Sequence, residues 1–108
     1  MELSPTVQML YKATMRMSEA SKEVFRLAKT KAETEYAYRK ALAQEMLILR
    51  AEKMPATLIP DIARGNVADL KFARDAALEA HRSSLAAMEA LKAEINALQS
   101  IAKYQSEV

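Results

Sequence analysis

Apolar residues in the first half of the chain recur in steps of three and four. Leu10, Ala13, Met17, Ala20, Val24, Ala28, Ala32, Tyr36, Leu42, Met46 and Leu49 keep a period close to 3.6, which lines one face of a single long α-helix. Its start is legible at Ser4 and Pro5. A serine there caps orphan backbone N–H groups, and a proline in the first turn gives up only an N–H that would be unpaired anyway. Nothing interrupts the pattern until Met54 and Pro55, where the residue before proline leaves the helical region and proline cannot donate its backbone bond. The spacing predicts a helix over about 5–53, roughly 70 Å long.

A second pattern begins after a dozen residues that hold Pro55, Pro60 and Gly65, the one glycine of the chain. Over 54–65 the residues predict a short helical turn that opens near Pro60 and closes on Gly65 in a left-handed conformation. Leu58, Ile59 and Ile62 are too apolar for a solvated linker, so the turn is expected to fold back over the ends of the arms. Asn66 with Asp69 three residues on reads as a capping-box variant, opening a helix over about 66–104. Along that helix Leu70, Ala73, Ala77, Ala80, Ser84, Ala87, Leu91, Ile95, Leu98 and Ala102 form a heptad-like seam, small in its first half. If the arms run antiparallel, Leu91, Ile95 and Leu98 face the Met17 to Val24 region.

The predicted fold is therefore all-α. It is a long antiparallel helical hairpin of coiled-coil type, with a short helical turn between the arms, forming one domain over 1–108. Two helices leave apolar surface uncovered. Between Tyr36 and Leu49 the first arm is apolar around most of its circumference, and Phe72, Leu78, Leu85 and Met88 lie off the seam of the second. A helix apolar on several sides needs several neighbours, which predicts packing of hairpins into an oligomeric bundle.

Composition narrows the function. About a fifth of the residues are alanine, so the apolar payload rests on the larger side chains within a hydrophobic fraction of 51%. Net charge is +2 and the pI is near 8.9, too mild for a dedicated nucleic-acid binder. Up to Lys53 there are ten Lys or Arg against seven acids, and beyond it six against seven, so the positive excess belongs to the first arm. With no cysteine there is no disulfide framework, thiolate zinc site or thiol nucleophile. Residues 1–10 lack the basic start and apolar core of a signal peptide, and no 18-residue apolar run occurs, which predicts a cytoplasmic protein with no membrane partner.

Reactive constellations are missing as well. Glu19 with Glu23 and Glu33 with Glu35 lie among Lys22, Arg26 and other cations, as on any solvated helix. A di-metal bundle needs Glu-x-x-His repeats, but the single histidine, His81, has Leu78 three residues before it. Ser83 and Ser84 lie mid-helix with no glycine turn to expose a hydroxyl. No cofactor is expected. Lys12 and Arg16 lie one turn apart, and Lys22, Arg26 and Lys29, spaced i, i+4, i+7, line one face; such a stripe could follow a phosphate backbone. Glu19, Glu23 and Glu33 interrupt that face, which favours an ion-paired surface. Met9, Met15 and Met17 cluster near the amino end; core filling is expected, with Met9 and Met15 as exceptions that suit an adaptable contact surface.

The stretch Leu58-Ile59-Pro60-Asp61-Ile62-Ala63-Arg64-Gly65-Asn66-Val67, followed by Arg74-Asp75-Ala76-Ala77 and ending in Leu98-Gln99-Ser100, resembles small helical proteins of bacteriophage and prophage genomes. That resemblance covers about the last half of the chain. It implies an accessory protein acting on phage or host machinery through protein contacts, and it transfers no site residues.

Together these features predict a non-enzymatic protein–protein interaction module, an adaptor, scaffold or inhibitor, that self-associates and presents helix faces to a protein partner. The expected contact residues are Leu58, Ile59, Ile62 and Arg64 at the turn, with Met9, Tyr11 and Met15 near the amino end. The alternative is a nucleic-acid-associated protein using Lys12, Arg16, Lys22, Arg26 and Lys29.

Overall fold

The computed structural model describes residues 3–107, and their architecture is all-α. Helix α1 spans Pro5–Ala51, α2 spans Ile59–Asn66 and α3 spans Ala68–Glu107, with no strand among the described residues. The Ser4 hydroxyl accepts the Val7 N–H at 3.2 Å, so α1 starts on the expected cap.

The end of α1 owes more to backbone hydrogen bonding than to proline. The Met54 N–H donates to the Leu49 carbonyl at 3.1 Å and the Lys53 N–H to the Arg50 carbonyl at 3.0 Å, the paired bonds of a Schellman motif. Lys53 takes the left-handed conformation this requires, with φ at 62°. Met54 then packs against the cluster that holds Leu49, which is the apolar contact such an ending favours. Pro55 follows a helix already closed.

Gly65 does not close α2, contrary to its expected left-handed role. It lies inside α2 without a positive φ, because the reversal has already been made at Lys53. The capping box also fails. Asn66 is the last residue of α2, and its amide nitrogen donates to the Glu45 carboxylate at 2.6 Å instead of capping α3. α2 passes into α3 through Val67 alone, whose N–H bonds to the Ala63 carbonyl while its own carbonyl accepts from Leu70 and Lys71. The Val67 side chain is buried, so the bend is packed in place.

The described chain divides into two compact units. One comprises α1 up to Arg26 with α3 from Arg82 onward; the other is Leu27–His81. In the second unit Glu45 meets Asn66 and Glu35 lies 3.6 Å from Arg74, so α1 and α3 run antiparallel, the plan of a helical hairpin. There α2 adds a third element, with Leu49, Ile59 and Ala63 buried together and Leu42, Met46, Met54 and Ile62 packed around them. In the first unit Arg16 pairs with Glu94 at 2.7 Å, setting the Leu91 to Leu98 stretch against the region of Met17.

The seam follows a stricter repeat than the 3.6 period. From Val67 along α3 the covered positions include Val67, Arg74, His81, Met88, Ile95 and Ala102, with Ala77, Ser84, Leu91 and Leu98 between them, each set spaced by seven. On α1 they include Leu10, Met17, Val24 and Tyr38, with Ala13, Ala20, Leu27, Thr34 and Ala41. Ala32, Tyr36, Ala73 and Ala87, expected on the seams, are exposed, and Leu70 falls at its edge. A straight helix drifts about 20° per heptad from a 3.5 repeat, so four heptads after Leu10 a 3.6 stripe has slipped by nearly one residue. That drift is smaller than the two residues between the tyrosines: Tyr36 is reached by three successive steps of four after Val24, whereas the covered Tyr38 stands four heptads after Leu10. Among the described residues no helix is long and apolar enough to cross a membrane.

Candidate interaction surface

Few side chains are removed from water. The buried apolar residues are Ala13, Tyr38, Leu49, Ile59, Ala63, Val67, Ala77 and Leu98, three of them alanine, and no large side chain among the described residues is fully enclosed. The accessible area is 8119 Å², against about 6,000 Å² for a typical folded chain of 12.0 kDa. Phe25 and Phe72, the two phenylalanines of the chain, are each more than three-quarters exposed, and Tyr11, Tyr36, Leu47 and Tyr104 exceed 60%.

The turn residues separate into two roles. Ile59 is buried at the centre of the α1–α2 cluster, which corrects its assignment as a contact residue: it opens α2 on the side facing Leu49. Ile62, one turn on, is half-buried against the same cluster. Leu58 stays half-exposed just before α2, and Arg64 is exposed with its guanidinium 3.2 Å from Asp61. In the other unit Met9, Tyr11 and Met15 are all exposed, whereas Met17 is half-buried. These are the two methionine exceptions expected from the pattern.

The basic stripe of α1 is largely paired. Arg16 reaches Glu94, Lys22 lies 3.3 Å from Glu19, Arg26 grips both oxygens of Glu23, and Lys29 lies 3.8 Å from Glu33. Hydrogen bonds from Arg26 hold the Glu23 carboxyl below its ordinary range and raise the guanidinium in turn. Of the five cations only Lys12 has no carboxylate at ion-pair distance among the described residues. All these pairs are solvent-exposed, so each contributes little to stability.

One polar cluster lies across the seam itself. The Arg74 guanidinium stacks 4.4 Å from the centre of the buried Tyr38 ring, bonds to Asp75 at 2.9 Å and approaches Glu35. Lys71 reaches the second Asp75 oxygen at 2.9 Å, and bonds from Lys71 and Arg74 hold that carboxyl below the ordinary aspartate range. A planar guanidinium over an aromatic face fills a seam position without losing its hydrogen bonds. Counting apolar residues alone passes over Arg74; its heptad spacing from Val67 and His81 is the signal that finds it.

Among the described residues there is no pocket, no group of three or more metal-ligating side chains, and no buried polar side-chain atom without a partner. The chemistry on offer is that of outward helix faces. No family model, characterised protein or solved structure matches this chain.

Proposed function

We propose that the protein is a non-enzymatic protein–protein interaction module that works in self-associated form, as an adaptor, scaffold or inhibitor. The observation that carries this reading is the exposure of Tyr11, Phe25, Tyr36, Leu47, Phe72 and Tyr104 on regular helices, over a core of eight mostly small or seam residues. Contiguous exposed apolar surface marks contact sites on folded chains, and Tyr36 and Leu47 share one face of α1 with Ala43 between them. An accessory role of this kind is what the resemblance of the turn and second arm to phage-encoded helical proteins implies. Pairing of Arg16, Lys22, Arg26 and Lys29 with carboxylates weighs against the nucleic-acid alternative.

Light scattering from about 1 to 100 µM is the direct test, with micromolar association expected for short helical contacts. The expected mass is at least twice the 12.0 kDa of the chain. A mass of one chain throughout defeats self-association, and a salt-sensitive shift of a labelled oligonucleotide would favour the nucleic-acid reading instead.

A further inference from the structure

Resting on that reading, we propose that the outer face of α1 in the Leu27–His81 unit is the contact between two copies, in an antiparallel pairing with one register. The face is formed by Lys29, Glu33, Tyr36, Lys40, Ala43, Leu47 and Arg50, all exposed. Their spacing alternates four and three, the repeat of a coiled-coil seam, and none belongs to the seam that α1 shares with α3. Helix α1 thus carries two seams, one covered by its own chain and one open.

The charges choose the direction. In a parallel pair each residue meets its own kind, stacking Lys40 on Lys40, Glu33 on Glu33 and Arg50 on Arg50, and like charges in contact destabilise. An antiparallel pair with its two-fold axis between Lys40 and Ala43 sets Glu33 against Arg50 of the second copy, Tyr36 against Leu47, and the Lys40 stem against Ala43. Each contact occurs twice by symmetry. Shifting the axis toward the carboxyl end by half a heptad sets Lys40 against Arg50; shifting it the other way leaves Leu47 facing Lys29. Of these three registers only the first sets Glu33 against Arg50 and Tyr36 against Leu47.

The partners are available for it. Arg50 has no carboxylate at ion-pair distance among the described residues, and Glu33 is held only by Lys29 at 3.8 Å with both groups well exposed. Lys40 is the weak element. Its ammonium lies 5.8 Å from the centre of the Tyr36 ring, so its stem lies along the face and leaves room at Ala43. A seam this short, with a lysine at its centre, fits micromolar association of a second copy.

Charge reversal tests the register, using light scattering for assembly and circular dichroism to verify helicity. Glu33→Arg should weaken self-association about tenfold by facing Arg50, and adding Arg50→Glu should restore it to within about twofold. Lys40→Leu should tighten it by about tenfold. Because the chain has no cysteine, Glu33→Cys mixed with Arg50→Cys should cross-link under mild oxidation. Glu33→Cys alone should not, since its two copies would lie about 25 Å apart along the helices. If the native chain assembles but Glu33→Arg leaves assembly unchanged, or the double reversal fails to restore it, this seam is wrong and the broader interaction reading stands. If the native chain keeps the mass of one chain to about 100 µM, self-association fails as a whole and the face belongs to a different protein.

Discussion

The two units of this chain use the same two helices and reach different degrees of burial. In the Leu27–His81 unit six residues are buried, Tyr38, Leu49, Ile59, Ala63, Val67 and Ala77; in the other the buried apolar residues are Ala13 and Leu98. The difference is α2. A pair of helices covers one narrow stripe on each partner, whereas a third element lets Leu49 be enclosed from a second direction. The same unit adds the Arg74 stack on Tyr38 and the bond from Asn66 to Glu45. A helical hairpin of this length therefore gains its stability where the chain folds back, not evenly along its arms.

The largest effects should come from removing that asymmetry. Leu49→Ala should cost about 3 kcal/mol in urea unfolding, the range for a core leucine flanked by ordered neighbours. Leu98→Ala should cost about 2 kcal/mol, because a two-helix seam collapses onto the gap more easily. Equal costs would mean that α2 adds no enclosure. Amide exchange sharpens the same contrast: protection should be higher at Leu42 to Leu49 than at Leu10 to Met17.

Intermediate effects are expected at the turn, where two residue types stand in each other's natural places. Lys53 occupies a left-handed conformation that favours glycine, and Gly65 occupies a helical one that favours alanine. Lys53→Gly should raise stability by about 1 kcal/mol. Gly65→Ala should raise it by about 0.5 kcal/mol, since a Cβ there meets nothing within 4 Å. Thermal unfolding measures both, and a loss at either site would contradict the described backbone.

A smaller effect is expected from Ser4→Ala, about 0.5 to 1 kcal/mol, confined to fraying at the start of α1 and visible as faster amide exchange there. The smallest is a dependence on acid. Asp75 is held below its ordinary range by Lys71 and then Arg74, so its folded form binds a proton less readily than its unfolded form. Its contribution is present above the ordinary aspartate value and is lost as pH falls through the lower folded value, below about pH 4. Lys71→Met should flatten that part of the unfolding profile. An unchanged slope would show that the bond from Lys71 carries no weight.

Much of the build is legible along the chain. Ser4 as cap, three helical elements, the antiparallel plan and the exposure of Met9 and Met15 follow from local chemistry and spacing. Position on the circumference is harder to read. Three successive steps of four after Val24 lead to Tyr36, whereas strict heptads from Leu10 lead to the covered Tyr38, and the first choice hides the two-seam character of the helix. Polar seam residues are likewise passed over when burial is read from hydrophobicity, because Arg74 is covered through stacking and hydrogen bonding.

By itself the sequence determined where helices can form and where α1 begins, since alanine content and the Ser4 cap act within a few residues. Only the tertiary structure decided which face each helix turns inward, that Lys53 and not Gly65 makes the reversal, and that Ile59 is core while Leu58 is surface. Those outcomes depend on how α1 packs against α3 and on α2. Both arise from packing between segments distant in sequence, which no local pattern encodes.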